Sequence, residues 1–124
     1  MSKPKNDYET RKQQRLERLG TNNPKCPGCG ETDWRCFEVH HIAGRKFDPS
    51  KTPLCSKCHA KASDMQKDQP EQVADPPHPY EGVGQFLHGL ANLLELAVEK
   101  LREFGNYLIE EARKLVARRR RASA

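Results

Sequence analysis

Residues 26–59 read CPGCGETDWRCFEVHHIAGRKFDPSKTPLCSKCH, and this stretch decides the fold. It opens on Cys26-Pro27-Gly28-Cys29 and closes on Cys55-Ser56-Lys57-Cys58-His59. Two residues between cysteines let one tight turn aim both sulfurs at a single ion. Two such turns complete the tetrahedral thiolate set of a structural zinc, which needs no open coordination position. Cys26, Cys29, Cys55 and Cys58 are therefore the expected zinc ligands.

The composition explains why a metal is needed. Only 35% of the 124 residues are hydrophobic and 6% aromatic, against 31% charged. A small domain so short of large apolar side chains usually needs a metal, disulfides or self-association to stay folded. There are five cysteines, two tight pairs plus Cys36, and this odd count argues against a disulfide framework. Cys36 is expected to be a small buried residue on a strand. Residues 1–5 lead into no apolar stretch, so no signal peptide is expected and a reducing, cytoplasmic setting is. The apolar region around residues 86–98 is interrupted by His88, Asn92 and Glu95, too short and too polar to span a bilayer. A formal charge of +5 and a pI near 9.0 fit an anionic partner such as nucleic acid.

Outward from the cysteines, four segments are expected. Residues 1–24 form a basic helical extension, with a helix over 6–19 capped by Asn6 or Asp7 and stopped at Gly20. Its apolar residues are Tyr8, Leu16 and Leu19, so it packs lightly on the next domain; Arg11, Lys12 and Arg15 are the candidates for a DNA-backbone contact. Residues 25–67 hold the metal domain: a strand over 35–42, a loop, a short strand over 52–54, then a helix from Ser56. Residues 68–82, with Pro70, Pro76, Pro77 and Pro79, read as an extended linker. Residues 83–124 form an amphipathic helix over 83–117 with a basic tail at Arg118, Arg119, Arg120 and Arg121. Leu87, Leu94, Leu101, Leu108 and Leu115 recur every seventh residue and make one narrow stripe. That stripe is expected either to fold back on the metal domain or to pair with a second copy as a homodimer; a membrane surface is the least favoured occupant.

Three histidines lie within or beside the cysteine frame. His40 and His41 are adjacent, and neighbouring strand residues face opposite sides. One can bind a metal while the other acts elsewhere as a base. His59 follows Cys58, and a zinc-pinned Cys58 lets it reach back toward the hairpin.

The ordered string Cys-x-x-Cys, Glu38-Val39-His40-His41-Ile42, Leu54-Cys55-x-x-Cys58-His59 resembles the zinc-bound, four-cysteine subgroup of HNH endonucleases, over residues 25–67. The resemblance implies an α+β chain: a small ββα-metal, treble-clef-like zinc domain flanked by the two helices. It implies His41 as general base, His40 and His59 as ligands of a catalytic divalent cation, and Glu38 as an auxiliary acid that orients a ligand or water. An imidazole can take a proton from water near neutral pH, and Mg²⁺ or Mn²⁺ (Zn²⁺ and Ni²⁺ being alternatives) would stabilise charge on the phosphate. Arg45, Lys46, Lys51 and Lys61 surround these residues and are expected to meet phosphates. The family's middle Asn has no counterpart in Asp48-Pro49-Ser50-Lys51-Thr52-Pro53; Asp48 or Ser50 is left to cap the loop. The expected function is hydrolysis of nucleic-acid phosphodiesters, with double-stranded DNA as the expected polymer. The rival is a non-catalytic zinc adaptor that binds nucleic acid or protein.

Overall fold

A computed structural model describes residues 7–123. Residues 1–5, and Asn6 as an alternative helix cap, lie outside the described residues. Helix α1 spans Tyr8–Leu19, and Asp7 caps it by accepting a hydrogen bond from the Thr10 backbone N–H at 2.9 Å. This satisfies one of the donors left open in the first turn. Leu16 and Leu19 turn inward, while Tyr8 stays 47% exposed against the edge of Trp34. Arg15 donates to the carbonyl of Phe37 at 3.0 Å and ties α1 to the first strand.

Strand β1, Phe37–His41, pairs antiparallel with β2, Lys51–Cys55, in a register that sets Phe37 opposite Cys55 and His41 opposite Lys51. Helix α2, Ser56–Gln66, follows without a break. The hairpin-then-helix order matches the sequence expectation and makes a mixed α+β fold around four clustered cysteines. The first strand is shorter than expected. Residues Trp34–Cys36 form a 3₁₀ turn, because Asp33 accepts from the Arg35 backbone N–H at 3.0 Å and from its guanidinium at 2.8 Å. That turn puts Phe37, only 1% exposed, into the core and leaves Cys36 at the surface, correcting the expectation of a buried Cys36.

The segment 67–78 is tethered rather than extended. Gln69 donates to the Gln85 side chain at 2.8 Å, Gln85 donates to the Pro70 carbonyl at 2.7 Å, and Val73 N–H donates to Glu81 at 2.8 Å. Helix α3 therefore begins early, at Pro79, where a first-turn proline loses no hydrogen bond, and runs through Ser123. The four-arginine run lies within its last turns rather than in a free tail.

This helix folds back on the domain, but not through the seven-residue leucine stripe. The docked face is Gly82, Gln85, Gly89, Leu93 and Leu96. Leu93 and Leu96 join Leu19, Phe37, Leu54, Ala62 and the cysteines in one core. At Gly89 the helix backbone passes against the carbonyl of Ile42, so close that a β-carbon would overlap that oxygen. The seven-residue stripe is left in solvent, with Leu94 59% and Leu101 72% exposed.

Candidate metal centres

The zinc frame begins with the backbone. Cys26 lies in the turn before β1, Cys55 ends β2 and Cys58 sits in the first turn of α2, so hairpin and helix converge on it. The Cys55 sulfur accepts from the Cys58 N–H at 3.4 Å. Gly28 packs so tightly that a β-carbon there would sit 3.0 Å from the Cys58 sulfur and 3.4 Å from Leu96. Leu96 of α3 therefore covers the frame from outside.

The four Sγ atoms lie within 4.8 Å of one another, and those of Cys29 and Cys55 are 3.5 Å apart. Zn–S bonds near 2.3 Å in a tetrahedron need sulfurs about 3.8 Å apart, so the frame fits zinc. Among the described residues this is the one group of three or more metal-ligating side chains that close together. Thiol electrostatics agree. Burial and the neighbouring sulfurs push the Cys58 thiol far up, and burial pushes Cys55 up. Burial works against ionising Cys26 too, but backbone N–H groups of Cys55, Cys29 and Gly28 outweigh it and hold that thiol down. Four sulfurs this close do not ionise together without a cation among them.

His40, His59 and Glu38 form a second cluster. His40 is 2% exposed, and its Nε2 is buried with no hydrogen-bond partner among the described residues. Such an orphan costs about 1–3 kcal/mol if nothing binds it. Burial, then the neighbouring His59 and His41, push its pKa down to about 4. His40 is thus neutral at physiological pH. Its ring meets that of His59 edge-on, with centroids 5.3 Å apart. The Nδ1 of His59 is in turn hydrogen-bonded to the Glu38 carboxylate. A carboxylate on Nδ1 fixes the tautomer that leaves Nε2 as a lone pair for a metal.

His41 is partly buried at the neighbouring strand position. Its carbonyl accepts from Gln66 at 2.8 Å, and Gln66 also reaches the Ile42 carbonyl at 3.3 Å. Sequence reading overlooked Gln66. Its signal was its position, seven residues after His59 and so on the same face of α2. In the loop, the choice between Asp48 and Ser50 resolves: Asp48 accepts from the Ser50 N–H at 2.7 Å, and the Ser50 carbonyl accepts from Ile42 N–H at 3.1 Å. Asp48 therefore closes the loop that follows the histidines.

The basic residues divide. Arg45 and Lys46 are exposed in the loop and Lys51 is exposed on β2 opposite His41. Lys61 instead pairs with Glu99 of α3 at 2.9 Å, and that hydrogen bond raises its pKa. Its charge is committed to the α2–α3 contact. Arg15 is likewise spent partly on Phe37.

No protein-family model, curated protein or solved structure matches this chain. The class that fold and frame define is a small α+β domain whose four cysteines can hold a structural zinc. No helix among the described residues is long and apolar enough to cross a membrane.

Proposed function

We propose that the chain is an HNH-type, metal-dependent endonuclease that hydrolyses phosphodiester bonds of nucleic acid, with DNA as the polymer. The observation that carries this reading is the buried, unpartnered Nε2 of His40 beside His59, whose other nitrogen is held by Glu38. A structural core has little reason to bury an orphan imidazole next to a carboxylate-oriented one. His40 and His59 would hold a divalent ion, Mg²⁺ or Mn²⁺. Once bound, that ion would stabilise negative charge on the phosphate and the departing 3′ oxygen. His41, on the neighbouring strand position, takes the proton of the attacking water. Glu38 keeps His59 oriented, and Arg45, Lys46 and Lys51 neutralise flanking phosphates. Lys61 is dropped from that role because Glu99 holds it.

The partner reading goes with the exposed stripe on α3. We assign it to a second copy of the chain. A strict seven-residue leucine repeat is the pattern of a coiled-coil seam rather than of a lipid face. Between residues 95 and 116 the stripe is flanked by charges of both signs, Glu95, Glu99, Glu103, Glu110 and Glu111 with Lys100, Arg102, Arg113 and Lys114, as the flanks of a coiled-coil seam are. Two single-strand sites in one dimer would suit cutting of both strands.

The test is plasmid nicking by the zinc-loaded chain with Mg²⁺, Mn²⁺, Ni²⁺ or Zn²⁺ added. The expected result is nicking by the wild type, abolished in His41→Ala and weakened in His40→Ala at equal zinc content. Wild-type protein that cleaves neither DNA nor RNA with any of these ions would replace the nuclease with the zinc-adaptor reading.

A further inference from the structure

A cleft of about 430 Å³ lies between α1 and the 3₁₀ turn, lined by none of the four cysteines and none of the histidines. Its walls are Tyr8, Arg11, Gln14, Arg15 and Arg18 from α1, with Trp34 and Arg35 of the 3₁₀ turn opposite. Four guanidinium groups therefore line it and no carboxylate does. Asp33 offsets Arg35 across a 2.8 Å ion pair, and Arg15 spends part of its donor set on Phe37. Arg18 is exposed and makes no ion pair or hydrogen bond among the described residues. The aromatic wall is fixed: Tyr8 and Trp34 meet edge-on with centroids 5.8 Å apart, and the indole N–H donates to the Tyr8 hydroxyl at 3.4 Å.

Fixed aromatic surface beside unneutralised arginine is the chemistry that holds unpaired nucleotides. Bases stack on the rings and the backbone phosphate meets the guanidinium groups. A duplex keeps its base faces covered and could use only the charge. The volume suits one nucleotide unit. We propose that this cleft binds single-stranded nucleic acid, one base stacking on a ring of the Tyr8–Trp34 pair and the adjoining phosphate held by Arg18. The inference rests on the nuclease reading and adds to it a contact for an unpaired segment of the substrate strand. Arg15 links the cleft to Phe37, and three residues further along β1, about 10 Å at ~3.3 Å per residue, stands His40. A strand held in the cleft would therefore run toward the histidine cluster.

Trp34 is the sole tryptophan, so its emission reports the cleft directly. The full, zinc-loaded chain is titrated, without added divalent ion, with an oligothymidylate of about a dozen nucleotides, a length near one single-strand binding site. Parallel titrations use a duplex of that length, thymidine monophosphate and inorganic phosphate. The expected result is saturable quenching by the single strand, at least tenfold weaker binding in Arg18→Glu, and loss of binding in Tyr8→Ala, with unchanged circular dichroism. Anisotropy of a labelled strand should give the same ranking in Trp34→Phe, which has no emission to quench. Single-strand binding without quenching, or binding indifferent to Arg18→Glu, overturns the proposal. So does equal affinity for the monophosphate or for phosphate alone, which would mark a free-nucleotide or anion site. Because the titration involves no cleavage, an inactive nuclease leaves its outcome intact. Active cleavage without quenching removes the cleft and not the nuclease.

Discussion

Replacing Gly89 by alanine tests how α3 sits on the domain, because two opposing effects have different sizes. In a helix interior, alanine is favoured over glycine by about 1 kcal/mol. Were α3 free in solvent, Gly89→Ala would therefore stabilise the protein. In the folded chain the new β-carbon falls on the backbone carbonyl of Ile42, which cannot rotate aside as a side chain could. Either the helix shifts, an overpacking cost of about 1–3 kcal/mol, or it undocks. Undocking re-exposes Leu93 and Leu96, now 8% and 2% exposed, at about 1.5–3 kcal/mol each. After the propensity gain, the worst case is a net loss of about 2–5 kcal/mol, and a helix shift costs about 2 kcal/mol or less. Gly105→Ala is the control, since nothing lies within 4 Å of its would-be β-carbon. It should gain up to about 1 kcal/mol. Urea unfolding at fixed zinc, followed by far-ultraviolet circular dichroism, measures both. Opposite signs support the docking described above. Stabilisation by both substitutions would refute it, and with it the claim that α3 braces the chain immediately after the histidines.

Zinc removal should unfold the metal domain, since structural zinc binds finger-type sites with about 10–16 kcal/mol. One zinc per chain, lost in Cys58→Ser but retained in Cys36→Ser, is the expected metal analysis; retention in Cys58→Ser would sink the four-thiolate frame. Stability should also depend on His40 in acid. Its folded pKa near 4 lies below the ordinary 6.5, so the unfolded state binds the proton more readily and stability falls as pH drops through that window. The loss should reach about 2 kcal/mol by about pH 5, at 1.36 kcal/mol per pKa unit, and be missing from His40→Gln. Matching pH profiles of unfolding for the two proteins would contradict the burial argument. Finally, Leu101→Glu with Leu108→Glu, both on the exposed stripe, should convert a dimer to monomer in sedimentation equilibrium without altering zinc content. A wild type that sediments as monomer at all concentrations would remove the second copy from the account.

What the sequence determined by itself is local. Cysteine pairs two residues apart can only make tight turns, so the metal frame, the strand–strand–helix order and the position of His59 beside the hairpin were readable from spacing. The opposite placement of His40 and His41 followed from strand alternation. Tertiary structure decided what depends on competition between faces. The leucine repeat on α3 was the obvious apolar stripe. Yet the domain took the face with Gly82, Gly89, Leu93 and Leu96, because glycine lets backbone approach backbone where leucine would hold it away. Cys36 went to the surface because Asp33 captured the Arg35 amide and delayed the strand. Lys61 turned from the site to Glu99, a partner 38 residues away that no local pattern could supply. Spacing along a chain fixes which side chains share a turn or a face; which of two usable faces is covered depends on steric fit between segments that meet only after folding.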